Sequence, residues 1–152
     1  MLKLIRVSVV SYSVPGGGKK LLALKYLRIC NKYNCFLPHT TIIGPGVSFP
    51  HNFPIVINPA ARIGNNCIIH PNVLIGTDRG KTGAPEIGNN CFLGDGCKIV
   101  GNCRIGDWCF VAPNAVITKD VPNSSVVGTG VNNVLSEKGK EHVVLYLSKK
   151  QL

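Results

Sequence analysis

The sequence predicts an all-β chain wound in triangular coils: a parallel β-helix of hexapeptide repeats with a short N-terminal helical segment. Three observations predict it. Every sixth residue from Ile57 reads Ile57, Ile63, Ile69, Ile75, Lys81, Ile87, Leu93, Ile99, Ile105, Val111, Ile117. Ten of these eleven are Ile, Leu or Val, types that form only 44 of the 152 residues, so chance gives the run on the order of once in several thousand trials. The next residue is often Gly, and the fifth position is small or β-branched: Cys67, Val73, Cys91, Cys97, Cys103, Cys109, Ala115, Val121. Finally, Ile63-Gly64-Asn65-Asn66-Cys67 returns as Ile87-Gly88-Asn89-Asn90-Cys91 after 24 residues and as Ile105-Gly106-Asp107-Trp108-Cys109 after 18 more. A helix repeats every 3.6 residues and a half-buried strand every two, so a period of six with Gly/Asn corners fits neither alone.

Three hexapeptides make one 18-residue coil, so the interval of 24 holds six extra residues. They fall at 77–86 (TDRGKTGAPE), which has Gly, Pro and charge and no large apolar side chain, and is expected to loop out. Residues 1–40 form an N-terminal segment. A strand-like run ends in Pro15-Gly16-Gly17-Gly18, which lacks the spacing of a phosphate loop. Residues 19–33 then read as a basic amphipathic helix. Its expected role is to pack on the end of the coil, with a membrane surface as the alternative. The coil is expected over 41–131, followed by a tail, 132–152, polar and then apolar.

Length and composition fit one domain with a packed core: 152 residues, 45% hydrophobic, with 17 Gly and 10 Pro. Seven Cys is an odd number and excludes a fully paired intrachain disulfide framework. Six-residue spacing instead stacks Cys67, Cys91 and Cys109 in one column and puts Cys97 and Cys103 on the other two corners, which suits packing and not a metal. No apolar run approaches membrane-spanning length, and no secretion signal is evident. A reducing cytoplasm is the expected compartment. The net charge of +10 is uneven: residues 1–77 hold eight basic residues and no acid. That end suits an anionic partner, such as a phosphorylated cofactor or the inner face of a membrane. No nucleic-acid motif accompanies it, so no nucleic-acid partner is expected.

The repeats from Ile43 to Pro122 resemble the left-handed β-helix acyltransferases, most of all the serine acetyltransferase branch, which includes small enzymes acetylating sugars in polysaccharides. Around Phe49-Pro50-His51-Asn52-Phe53-Pro54-Ile55-Val56-Ile57 the register skips, with eight residues between inward positions. The resemblance puts the catalytic histidine at His51. The closing Ile117-Thr118-Lys119-Asp120-Val121-Pro122 matches the family's last coil, and implies that Thr118 and Lys119 contact coenzyme A, with Asp95, Ala112 and Pro113 also along the cofactor. It implies acetyl-CoA as co-substrate, no metal and a homotrimer. The threefold faces are expected to be closed through Ile68, Phe92 and Phe110, with a cofactor groove between subunits.

Acetyl transfer to an alcohol needs a base, and an imidazole titrates in the right range. His51 is that base, and a backbone N–H near Gly76 is the candidate oxyanion donor. Asn52, Thr77 and Arg79 are candidate acceptor contacts, and the loop 77–86 is expected to cover the groove at His51. Against the resemblance, Pro50 replaces the acid that holds an amino-acid substrate, Phe36 replaces the partner acid of the histidine, and Ala84 replaces a second histidine. Asn132 stands where a basic residue usually follows the closing Val-Gly. Only about 40 residues precede the coil, where serine acetyltransferases have a large helical domain. The expected function is therefore acetyl-CoA-dependent O-acetylation of a sugar or glycan hydroxyl. The alternatives are a serine O-acetyltransferase-type enzyme on a small amino acid, and a non-catalytic trimeric scaffold or acetyl-CoA binder. His70 is expected to make a corner hydrogen bond. His39 and His142 receive no role, and Trp108 is read as an adenine stacker or a solvent shield.

Overall fold

A computed structural model describes residues 28, 31–32, 34–38, 40–51 and 54–149. The expected helix over 19–33 and the strand-like run before it lie largely or wholly outside them. In chain order the elements are β1 (Cys35–Phe36), β2 (Ile42–Ile43), β3 (Ile55–Ile57), β4 (Arg62–Ile63), β5 (Ile68–Ile69), β6 (Leu74–Gly76), β7 (Glu86–Ile87), β8 (Phe92–Leu93), β9 (Lys98–Val100), β10 (Arg104–Ile105), β11 (Phe110–Val111), β12 (Ala115–Ile117), β13 (Val126–Val127), β14 (Gly130–Val131), β15 (Val134–Ser136) and the helix α1 (Gly139–Lys149).

The strands form three sheets: a six-stranded face β1-β3-β6-β9-β12-β14, a four-stranded face β2-β4-β7-β10 and a five-stranded face β5-β8-β11-β13-β15. Pairing is parallel throughout except for β15, which runs antiparallel to β13. The chain visits the four-, five- and six-stranded faces in turn, the arrangement of a β-helix. β1 already pairs with β3 in register Cys35↔Ile55, so the coil begins before residue 41.

The periodic residues line the inside. Ile57, Ile75, Ile99 and Ile117 stack under the six-stranded face, Ile63, Ile87 and Ile105 under the four-stranded one, and Ile69, Leu93, Val111 and Val127 under the five-stranded one. Ile99 is completely buried, and burying such a side chain contributes about 1.5–3 kcal/mol. The corners are stacked as tightly as the sheets. A Cβ on Gly64 would lie 2.6 Å from the Gly88 carbonyl oxygen, and one on Gly88 would lie 2.7 Å from the Gly106 carbonyl carbon. That explains the glycine after the periodic residue. The third position carries a side chain that takes the amide of the coil beside it. Asn65 N–H donates to Asn89 Oδ1 (2.9 Å), Asn89 N–H to Asp107 Oδ1 (2.6 Å) and Asp107 N–H to Asn123 Oδ1 (2.9 Å).

Cys67, Cys91 and Cys109 stack in one column, and each thiol donates to a carbonyl of the next coil at 3.1 Å: Gly88, Gly106 and Pro122. Cys97 and Cys103 occupy the other two corners, as expected. Burial pushes the Cys97 thiol up to about 12 and Cys103 up to about 11. Cys91 is also pushed up, by its hydrogen bonds to Cys109 and Cys67 and by burial. None of these three is poised as a thiolate nucleophile.

The outward residues correct one expectation. Ile68, Phe92 and Phe110 do not await a second subunit: α1 packs across them. Ile68, Phe92 and Val143 form a second apolar cluster joined by Trp108, Phe110 and Tyr146. The Phe92 and Phe110 rings stack at 4.5 Å, and Tyr146 tilts onto Phe92 at 4.5 Å. The tail is thus the strand β15 and the helix α1, the only named helix among the described residues. Trp108 explains how the helix docks. Asn66 and Asn90 take the left-handed backbone of this corner, which Asn tolerates; Trp108 takes it too, at φ 58°. Its carbonyl meets Gly139, whose N–H donates to Ser124 O (2.6 Å), and Lys140 Nζ sits 5.3 Å from the indole ring centre. Trp108 shields this junction.

A Cβ on Gly139 would collide with the carbonyl oxygens of Ser125 and Trp108. Gly139→Ala is expected to cost about 1–3 kcal/mol by overpacking and to lift the start of α1. Because Trp108 is the single tryptophan, its emission should shift to the red. Unchanged emission and urea midpoint would show that the junction has slack.

Candidate functional site

The register skip is present and local. Phe49 packs against the core, and the next residue of the six-residue series is Ile57, eight positions on, with Ile55 buried at the corner position before it; elsewhere Ile69 to Ile75, Leu93 to Ile99 and Val111 to Ile117 take six. His51 stands exposed at the corner between the five- and six-stranded faces. Asn52, an expected acceptor contact, lies outside the described residues.

The next coil puts His70 at the same corner. The two imidazoles meet edge-on, with ring centres 5.8 Å apart and planes at 62°. His70 is half-buried against Phe92 (4.8 Å), and its Nε2 is 2.9 Å from Tyr146 Oη on α1. Burial pushes the Tyr146 hydroxyl above the usual tyrosine range, so it stays protonated. Further along this corner lie Asn72, whose side-chain amide donates to Asp95 Oδ1 (3.2 Å), then Ala112 and Pro113.

The other expected site residues occupy the opposite edge of the six-stranded face. Gly76 ends β6, and residues 77–85 leave there to reach β7 on the four-stranded face. Thr77 Oγ1 accepts from Asn58 (3.4 Å), Lys81 pairs with Asp78 (2.7 Å), and Arg79 is exposed. Thr118 and Lys119 turn the same edge two coils on. Asn132 clamps them: its Oδ1 accepts from the backbone N–H of Thr118 (2.7 Å) and Lys119 (3.2 Å), and its Nδ2 donates to Thr118 Oγ1 (2.9 Å).

The expected constellation is therefore divided. His51, Asp95, Ala112 and Pro113 share one edge; Gly76, Thr77, Arg79, Thr118 and Lys119 share the other. A three-residue strand of about 10 Å separates them. Within one copy neither the Gly76 amide nor the loop reaches His51, which corrects the reading of that loop as a cover over its own histidine. Between the edges runs an outward column in register: Phe36, Val56, Leu74, Lys98, Val116, Val131. Phe36, Val56 and Val131 are 59%, 42% and 65% exposed. Phe36, which stands in the place of the partner acid, is thus a member of this apolar ridge.

Two features escaped the sequence reading. Tyr146 was not singled out, although its i,i+3 spacing from buried Val143 marks the inner side of a helix. The Asn132 clamp joins residues 14 apart and carries no local signature.

Residues 84–119 match the family model described as bacterial transferase hexapeptide (six repeats). Serine acetyltransferase 2 of Arabidopsis thaliana is 36% identical over 121 residues, 78% of this chain and 38% of that protein. The serine acetyltransferase of Staphylococcus xylosus is 31% identical over 101 residues, covering 64% and 46%. Among solved structures, soybean serine acetyltransferase aligns with a TM-score of 0.66 at 31% identity, covering 77% of this chain and 49% of that one. The Neisseria gonorrhoeae enzyme in complex with serine gives 0.67 at 28%, covering 79% and 50%. The chain belongs to the hexapeptide-repeat transferases of the serine acetyltransferase family. It spans about half the length, or less, of these relatives. In this family member, no helix among the described residues is long and apolar enough to cross a membrane.

Removing the Asn132 clamp tests how the Thr118–Lys119 edge is held. Asn132→Gly keeps the positive φ (50°) available while leaving two amides to solvent. It should cost about 1–3 kcal/mol in urea unfolding; no change would mean water replaces the side chain without loss.

Proposed function

We propose that the chain is an acetyl-CoA-dependent O-acetyltransferase of the serine acetyltransferase type, with His51 as general base. The observation that carries this reading is the exposed histidine at a register skip of the repeat, beside an apolar face, in a chain whose relatives are serine acetyltransferases. The acceptor those names support is a small hydroxylated amino acid. The sugar acceptor expected from the sequence gains no support from them. Pro50, in place of an acid, leaves the acceptor's ammonium short of a partner, so a high KM for serine is expected.

When bound, the co-substrate supplies an acetyl carbon activated as a thioester. His51 would accept the proton of the acceptor hydroxyl as its oxygen attacks that carbon and return it to the coenzyme A sulfur as the C–S bond breaks, so that ester and free thiol leave and no covalent enzyme intermediate is needed. The residues present fit coenzyme A in part. Lys119 offers an exposed ammonium for a phosphate, whereas the amides of Thr118 and Lys119 are already taken by Asn132. Asp95 carries negative charge and does not suit a phosphate.

A site divided across one face is completed by a second copy. In the homotrimer we propose, the apolar ridge of the six-stranded face is covered, and the Lys119 edge of one copy meets the His51 edge of its neighbour. Gly76 and the loop 77–85 of the copy that supplies Lys119 then stand beside that neighbour's His51, where an oxyanion donor and a cover are needed. The interface thus takes over the role expected of Ile68, Phe92 and Phe110.

His51→Ala should lower kcat by ~10²-fold or more with acetyl-CoA affinity nearly intact. Wild-type turnover of serine by the variant would refute the base assignment, and no thioester turnover by the native chain would favour a scaffold. Lys119→Ala should weaken acetyl-CoA binding by roughly 1–3 kcal/mol in calorimetry. At limiting acetyl-CoA, mixing the two impaired variants through unfolding and refolding should restore activity, since some sites would then combine an intact His51 with an intact Lys119. A monomer in light scattering at micromolar concentration would overturn the shared site.

A further inference from the structure

The helix α1 lies outside the repeat, yet one of its side chains reaches the corner where His51 stands. Val143, 1% exposed, anchors the helix on the five-stranded face. One turn later Tyr146 rests on Phe92 and bonds His70 Nε2 at 2.9 Å. The His70 ring is held on two sides, by Phe92 at 4.8 Å and by Tyr146 at 5.7 Å and 74°. His51 stands exposed at the register skip, and among the described residues its ring meets that of His70. A base on a surface bulge has rotamer freedom, and a base contributes fully only when held in its productive orientation. With Phe36 where a partner acid is expected, that orientation needs another source.

We propose that Tyr146 is a positioning residue: by bonding His70 Nε2 it fixes the tautomer and plane of His70, and the fixed His70 ring orients the His51 base. The inference rests on the reading of His51 as general base. In the arrangement we propose, the tyrosine hydroxyl is the donor to Nε2, the His70 proton sits on Nδ1, and that ring is neutral beside a base that becomes cationic in each turnover. Two imidazolium rings at 5.8 Å would repel, so a neutral His70 lets His51 hold the proton it has taken. The tail is then part of the site and not only a cover for Phe92 and Phe110.

Tyr146→Phe in the full chain tests this, because a phenylalanine keeps the ring on Phe92 and the helix docked. The expected result is a fall in kcat of about threefold to tenfold, the range set by one hydrogen bond, with KM for acetyl-CoA unchanged. Nitrogen-15 spectra of the histidines, which need no substrate, should show His70 as a single tautomer in the native chain and as an averaging pair in the variant. In a His70→Gln background Tyr146→Phe should have no further effect on kcat. Lys140→Ala, on the same helix beside Trp108, should leave kcat unchanged. An unaltered His70 spectrum, or an equal loss of kcat in both backgrounds, overturns the proposal even if His51→Ala abolishes turnover. If His51→Ala instead turns over normally, the general-base reading has failed, and a changed His70 spectrum would still establish the tyrosine contact.

Discussion

Everything in this molecule depends on backbone stacked on backbone between coils. At the corner between the four- and five-stranded faces adjacent coils approach so closely that Gly64 and Gly88 have no room for a Cβ, and the amides of Asn65 and Asn89 are taken by an Asn and an Asp of the next coil. Such stacking tolerates little variation. It demands a residue of Ile, Leu or Val size inside every hexapeptide, a small residue such as Cys before each strand, and left-handed backbone at the turn. The thiol column follows from the same demand: Cys67, Cys91 and Cys109 fill a narrow corner and spend their protons on carbonyls of the neighbouring coil.

A scaffold this regular makes its exceptions informative. At one corner the register skip leaves His51 exposed, and a longer insertion at another pushes out residues 77–85. The corners are rigid, so each exception stays where the sequence puts it, and the two come out at opposite edges of the same face. The chemistry and the cofactor contacts proposed for them can meet only across an interface. The apolar column between the edges, with Phe36 and Val131 more than half exposed, is the surface on which such a meeting is built.

The five-stranded face has a different solution. Its outward Ile68, Phe92 and Phe110 would be an aggregation hazard on a lone prism, and the chain covers them itself with α1. Docking is bought by a tryptophan in a strained backbone conformation at Trp108, by close approach at Gly139 and by burial of Val143. The same helix carries Tyr146 to His70. One element therefore serves both packing and the geometry of the histidine corner.

The sequence by itself determined the coil, its register, the thiol column, the skip at His51 and the extruded loop, because each is a local consequence of a six-residue period repeated against itself. Family likeness underlies the proposal of serine acetyltransferase chemistry, and the relatives lend no support to the sugar acceptor expected from Pro50, Phe36, Ala84 and the short N-terminal segment. Only the tertiary structure decided which outward residues are covered, and by what. Tyr146 and His70 are 76 positions apart and Asn132 and Thr118 are 14 apart, separations that the hexapeptide period does not relate. Only the closed coil, likewise, puts His51 and Lys119 on opposite edges of one face. A linear period states which residues point in or out; which outward surfaces meet depends on where a non-repeating tail turns back, and that is settled by packing.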